Sequence, residues 1–338
     1  MASAAWVEGD GTHRPRLLLV CHHLAVDVVS WRTLLEDLDR AYAQLRKNGK
    51  ASLPPVGCSY LGYIKWLNEY AAASEQLTEE AEFWLQQRDT HDIPVDRQGG
   101  VGTAGDTASI ALSLTQDETT RLLREAPTDY HASPHELMVA ALARTLSDWR
   151  GDNAAYLSLE GHGRSGPLEE LELSRTVGWF TALYPIRIEL GINDDWSAVV
   201  RATKERMRAV PGDGVGYGLI RYLRSDEAAS KLSTVPTPRV CFNYVGQLDT
   251  SGAVDRAFEM GKGDPGAAHD DDSARPQLID VVAYVLKGAL RVEWTYSTKH
   301  FEYETIRRRL EGFVSSLREC VTEQPVDDAR GASDFPLA

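Results

Sequence analysis

Two rhythms of apolar positions alternate along the chain. From Ser30 onward Trp31, Leu34, Leu35, Leu38, Tyr42 and Leu45 recur every three or four residues, which places them on one face of a helix, and Gly49 offers a stop. The same spacing predicts helices over 59–73, 77–87 and 196–209, and an amphipathic closing helix over 303–322. Thr115-Gln-Asp-Glu118 and Ser133-Pro-His-Glu136 are capping boxes that start two more, the second with Pro134 at its first position and Gly151 just past its end. The other rhythm is that of strands. An apolar run over 16–21 reads as a buried strand that stops at two histidines, and 107–114 alternates Ala108, Ile110 and Leu112 on one side. Strands are also predicted over 155–160, 183–190 and 239–244, with a hairpin of 277–286 and 289–296 turning at Lys287-Gly288. Strands interleaved with helices make the class α/β. Four glycines within 98–106 mark a linker, which divides the chain into an N-terminal lobe over 1–97 and a C-terminal lobe over 107–338.

Composition sharpens this picture. A chain of 338 residues exceeds the roughly 250–300 at which one hydrophobic core stops growing, so two lobes are expected. With 43% hydrophobic and 25% charged residues it belongs with globular rather than disordered chains. The formal charge of -14 has the wrong sign for wrapping a polyanion or lying on an anionic membrane, so neither nucleic acid nor membrane is an expected partner. The apolar run 17–20 is far shorter than a signal-peptide core or a membrane span, which points to a cytoplasmic protein. Cys21, Cys58, Cys241 and Cys320 lack metal-pair spacing and read as reduced, buried thiols. His269-Asp-Asp-Asp272 reads as solvated charge in a polar loop, so no metal is expected.

Candidate chemistry begins at His22 and His23, held where a strand ends and a helix begins, a place from which an imidazole can serve as a base. An isolated pair of this kind is more often structural or metal-ligating than catalytic. The neighbouring residues change that weighting. His22-His23-Leu24-Ala25-Val26-Asp27-Val28-Val29-Ser30-Trp31 resembles the H-H-x-x-x-D-G-x-S-W signature of epimerization domains of non-ribosomal peptide synthetases. The related condensation domains share only its first part. Further blocks resemble the same family in order: E-G-H-G-R at 160–164, S-R-T-V-G-W-F-T at 174–181, a glycine-rich block at 211–222, F-N-Y-x-G-Q at 242–247 and the tail at 333–338.

The resemblance implies a two-lobed fold like that of chloramphenicol acetyltransferase, with a tunnel between the lobes. The implied substrate is an aminoacyl or peptidyl thioester on the 4'-phosphopantetheine arm of a peptidyl carrier protein, inverted from L to D at its α-carbon. The domain itself would bind no cofactor, and its partners would be the carrier protein and neighbouring synthetase domains. Matching the motifs assigns His23 and Glu160 as an acid/base pair facing each other several ångströms apart across the thioester. Which of them abstracts the proton is left open. His22, Asp27 and Ser30 support the first motif. Arg175, Asn243 and Tyr244 lie in matched blocks, where they would orient the thioester, stabilise the enolate or serve structure alone. Tyr217 among Gly214, Gly216 and Gly218 would shape a tight turn; phosphate cradling by these glycines is weaker, because no Lys-Ser or Lys-Thr follows.

Two departures from the family carry expectations. Val28 stands where the family has glycine, and a β-branched residue resists φ > 0, so it would narrow the tunnel or tilt His23. Fifteen residues precede Arg16 where family members have a substantial segment, so the first lobe is expected to be incomplete, with an unpaired edge or apolar patch. The arginine that usually pairs with the motif aspartate comes from that segment. Either Arg16 or Arg32 then replaces it beside Asp27, or the lobe is loosened. Two other readings stay open: a condensation domain that forms peptide bonds, against which Ser30-Trp31 and the Glu160 block argue, and a catalytically impaired remnant that binds a carrier protein or acts as a scaffold.

Overall fold

The computed structural model describes the chain except residues 11, 13, 165–170, 249–257, 260, 262–265, 267, 324, 326–328 and 336–338, so the end of the 333–338 block lies outside the described residues. Contacts divide the chain into two compact units, each built from separate stretches of sequence. The first comprises Met1–Ala73, His162–Ala182 and Thr250–Ala268; the second comprises Ser74–Gly161, Leu183–Asp249 and His269–Ala338. The expected boundary at 98–106 therefore lies inside the second unit, where Thr103 bridges Ala274. Packing explains the earlier division: Trp84 is fully buried against Tyr184 and Tyr217, so the helix that carries it belongs to the second core.

In the first unit β1 (Ala2–Val7) pairs antiparallel with β2 (Arg16–Cys21), Ala2 opposite Cys21 and Val7 opposite Arg16. β1 was not expected, because its alanines and serine have weak strand preference; pairing with β2 supplies what local propensity lacks. The expected burial of 16–21 is not found. Among the described residues the ribbon has two strands only, and Trp6, Val7, Leu18 and Val20 are exposed. After it come α1 (Val28–Asn48), capped by Asp27 at one end and by Gly49 at φ 68° at the other, and α2 (Tyr60–Ala73).

The second unit opens with α3 (Gln76–Gln86) and β3 (Thr107–Ser113). The capping box at Thr115 starts α4 (Gln116–Thr120), which runs through a π turn at Arg121–Glu125 into α5 (Ala126–Asp129). The box at Ser133 starts α6 (Pro134–Arg150), which stops at Gly151 with φ 75°. Then follow β4 (Ala154–Gly161), β5 (Ala182–Glu189), α7 (Trp196–Arg208), α8 (Val215–Leu223), α9 (Glu227–Ser233), β6 (Val240–Gln247), β7 (Ile279–Leu286), β8 (Ala289–Ser297) and α10 (Tyr303–Thr322). The hairpin turns at Lys287 and Gly288 with φ 52° and 76°, both positive as a primed turn requires.

The six-stranded sheet has the order β3-β8-β7-β6-β4-β5. Its register sorts side chains cleanly between two faces. Leu159, Phe242, Val281 and Trp294 share one face and are fully buried, with His135 of α6 and Phe313 of α10 against it. The other face carries Ser158, Cys241, Asp280 and Thr295, then Asn243 and Glu293 one pleat further on. Polar residues on a half-buried face make it the place in this unit where chemistry can sit.

Candidate active site

The candidate residues fall into two groups, one in each unit. His22 extends the ladder of the ribbon, its N–H donating to Met1 O at 2.8 Å, and its Nδ1 accepts from Leu24 N at 3.1 Å. That bond makes His22 the cap of the short turn His23–Ala25 and puts the proton of its neutral ring on Nε2. His23 is exposed. Its side chain has no hydrogen-bond or ion-pair partner among the described residues, and its ring meets the indole of Trp179, 5.6 Å between centroids at 67°.

Asp27 is buried and fully engaged. Its Oδ1 accepts from Ser30 N at 2.7 Å, capping α1, and its Oδ2 accepts from Phe180 N at 3.1 Å. The expected partner Arg16 or Arg32 is not the one found: Arg32 pairs with Glu36 on the surface, and Arg164 supplies the guanidinium, donating to the two oxygens of Asp27 at 3.2 and 3.3 Å. Arg164 also donates to Ser30 Oγ at 3.0 Å, Leu173 O at 2.7 Å and Thr176 O at 2.9 Å, and lies 3.8 Å from the centre of the Phe180 ring. Ser30 is thus a structural joint, its Oγ bonded as well to both Gly178 N and Gly178 O. Gly163 makes the approach possible, with φ 59° and a hypothetical Cβ only 1.7 Å from Phe180 O. Arg175 donates to Asp37 of α1, which commits its guanidinium to this frame. Val28 is the first residue of α1, with an exposed side chain and no positive φ, so the strain expected of a β-branched residue there is not present.

The second group is built on adjacent strands. β4 runs parallel to β6 with Ser158 opposite Cys241 and Leu159 opposite Phe242, so the next residue, Glu160, lies beside Asn243. Asn243 Nδ2 donates to Glu160 Oε2 at 2.6 Å, and Cys241 Sγ lies 3.8 Å from Oε1. Burial, and then the charge of Glu160, pushes the Cys241 thiol far above its ordinary range, so it stays an S–H donor. Past Tyr244 the pairing with β7 shifts by one residue, and Gly246 takes φ 88°. The positive φ at this bulge explains a glycine in the F-N-Y-x-G-Q block, because glycine takes that conformation without steric cost. Burial raises the Tyr244 phenol, which therefore keeps its proton.

Tyr217 lies elsewhere than expected. The tight turn is at Gly212, Asp213 and Gly214, all with positive φ, whereas Tyr217 is buried inside α8 and accepts from Arg221 at 2.8 Å. Of the thiols, Cys241 and Cys320 are buried as expected, but Cys21 and Cys58 are half-buried. Arg164, Trp179 and Cys241 were not among the expected site residues. The first two stood in matched motif blocks, and the third directly preceded one.

Residues 9–334 match the condensation-domain family. The chain belongs to that family. A linear gramicidin synthase polypeptide of Brevibacillus parabrevis is 38% identical over 329 residues, 96% of this chain and 4% of that polypeptide. The chain thus spans a small fraction of the multidomain synthetases it matches. Among solved structures, the epimerization domain from the third module of tyrocidine synthetase B is 30% identical, with a TM-score of 0.83 over 91% of this chain and 69% of that one. The first condensation domain of the CDA synthetase shares the fold, with a TM-score of 0.67 at 19% identity over 96% of this chain and 68% of that one. The expected α/β class and chloramphenicol-acetyltransferase-like fold are those of these proteins. Among the described residues no helix is long and apolar enough to cross a membrane.

Proposed function

We propose that this condensation-family domain is an epimerization domain, inverting the α-carbon of an aminoacyl or peptidyl thioester presented on the phosphopantetheine arm of a peptidyl carrier protein within a larger synthetase. The observation that carries the reading is Glu160, a carboxylate at a strand end, gripped at one oxygen by Asn243 and approached at the other by Cys241. Donors to both oxygens fix the carboxylate's plane, which sets the direction in which it can take or return a proton. The greater likeness to an epimerization domain than to a condensation domain, in sequence and in fold, supports the same reading.

In the proposed reaction a base removes the α-proton and the C–H electron pair moves to the thioester carbonyl as an enolate. An acid returns a proton to the opposite face of the planar carbon, and the C–S bond stays intact. Two faces need two groups, and His23 and Glu160 are assigned to them, exchanging roles with direction. Asn243 thereby becomes a support of Glu160 rather than a direct ligand of the thioester.

An L-aminoacyl or dipeptidyl group is loaded on a carrier protein in deuterated water and treated with the domain. Released product is expected to carry α-deuterium and to contain the D isomer. Glu160→Gln, which keeps the shape and removes the ionisable group, is expected to slow exchange by about 100-fold or more. Unlabelled L product from the native domain, with transfer to an added amine acceptor, would instead establish a condensation domain. No reaction of either kind, with retained carrier binding, would establish a binding module.

A further inference from the structure

We propose that Trp179 is the positioning residue for the His23 imidazole, an inference that rests on His23 being one of the two acid/base groups. A side chain that transfers protons in catalysis needs a defined ring orientation, and an imidazole is usually given one by a hydrogen bond to its second nitrogen. His23 has no such bond among the described residues. Its ring neighbour is the Trp179 indole, 5.6 Å between centroids and inclined at 67°. Inclined ring packing fixes the plane of the imidazole without a hydrogen bond, and neither Nδ1 nor Nε2 has a hydrogen-bond partner among the described residues, so neither is tied up by one.

Two observations set Trp179 apart from an ordinary core residue. The residue is left 41% exposed, whereas Trp84 and Trp294 are fully buried, so Trp179 is not a member of an apolar core. Its backbone is nevertheless tied down on both sides. Asp27 N donates to Gly178 O at 3.0 Å, Tyr60 Oη donates to Trp179 O at 2.9 Å, and Phe180 N donates to Asp27 Oδ2 at 3.1 Å. The carboxylate that caps the helix after His23 therefore also sets the strap that carries the indole. Histidine and tryptophan are placed against each other by one residue, Asp27, and the arrangement holds the imidazole from the side.

The test uses the whole chain with ¹³C-labelled histidine, the His23 ring-proton signal being assigned by its loss in His23→Asn. Trp179→Leu keeps apolar bulk and removes the aromatic ring; Trp179→Phe keeps a ring. Trp179→Leu is expected to abolish the ring-current displacement of the His23 signal and to lower kcat of α-proton exchange about ten-fold with KM unchanged, the scale of one aromatic pair. Trp179→Phe is expected to retain the displacement and most of the rate, with both variants matching the native urea midpoint. Equal losses in the Phe and Leu variants, or an unmoved His23 signal in Trp179→Leu, would overturn the proposal. Exchange by His23→Asn at the native rate would refute the acid/base reading instead, and the ring-proton signal would still decide whether the indole holds the ring.

Discussion

Arg164 binds Asp27, Ser30 and two carbonyls and rests on the Phe180 ring, so one guanidinium joins the start of α1 to the 162–182 segment. Removing it leaves the Asp27 carboxylate buried without its cation. Arg164→Leu is expected to destabilise the first unit by about 3–5 kcal/mol, read as a lowered urea midpoint of α1 signals. Arg164→Lys should recover only part of this, since an ammonium lacks the planar fork that serves an acid and two carbonyls together. An unshifted midpoint in Arg164→Leu would mean that the pair contributes nothing net. The residue stands in plain sight within the E-G-H-G-R block, yet its role is not legible from the sequence. Arg16 and Arg32 are the cations that lie near Asp27 along the chain, whereas the true partner is 137 positions away. Periodicity encodes faces of elements and carries no record of which distant charges meet.

At the level of elements, legibility followed local chemistry. The boxes at Thr115 and Ser133 and the primed turn at Lys287-Gly288 are set by neighbouring residues, and all formed as expected. α8 was hidden because its glycines signal a turn, and packing decides otherwise. Leu219 and Ile220 are buried, and Gly216 lies so close to Glu80 that a hypothetical Cβ would stand 1.9 Å from its carboxylate. The turn Ala332–Asp334 after α10 likewise gains its meaning from a distant helix. Lys204 of α7 is fully buried, and its ammonium donates to Asp334 Oδ2 at 2.5 Å and to Tyr130 O at 3.1 Å, while Arg208 donates to Asp334 Oδ1 at 2.6 Å. Burial alone would raise the Asp334 carboxyl, but the bonds from Lys204, Gly331 and Arg208 outweigh it and hold the group well below the usual carboxylate range. A depressed folded pKa means that the unfolded chain binds more protons in acid, so this stabilisation is present above the unfolded value near 3.8 and is lost as pH falls below it. Asp334→Asn is therefore expected to cost about 3–5 kcal/mol at pH 7, by stranding Lys204, and progressively less below about pH 4. Urea midpoints at pH 7 and 3.5 measure this, and a deficit that persists unchanged in acid would refute the account.

Across the whole molecule the apolar core is unevenly shared. Among the described residues of the first unit the buried apolar side chains are Val26, Tyr63, Ala71, Leu173, Phe180 and Ala182, whereas the second buries α6 and most of its sheet. What organises the first unit is polar: the Asp27, Ser30 and Arg164 network, whose net worth is smaller than its number of bonds suggests, because each bond replaces one to water. Its ribbon adds little, as two strands in which no residue is fully buried are marginal on their own. Local opening is governed by such differences, so the units are expected to open at different free energies. In hydrogen exchange, amides of β1 and β2 should exchange first, those of α1 next, and those of α6 and the central strands β6 and β7 only with global unfolding. The same ribbon exposes Trp6, Val7, Leu18 and Val20, an apolar surface beside open strand edges, and such surfaces favour association. Sedimentation of the isolated chain should therefore show concentration-dependent association, and Trp6→Glu with Val20→Lys, charges placed on exposed positions, should reduce it without changing the exchange of α6. A concentration-independent monomer whose ribbon amides are as protected as those of α6 would show that the first unit is stabilised by something other than the contacts found within it.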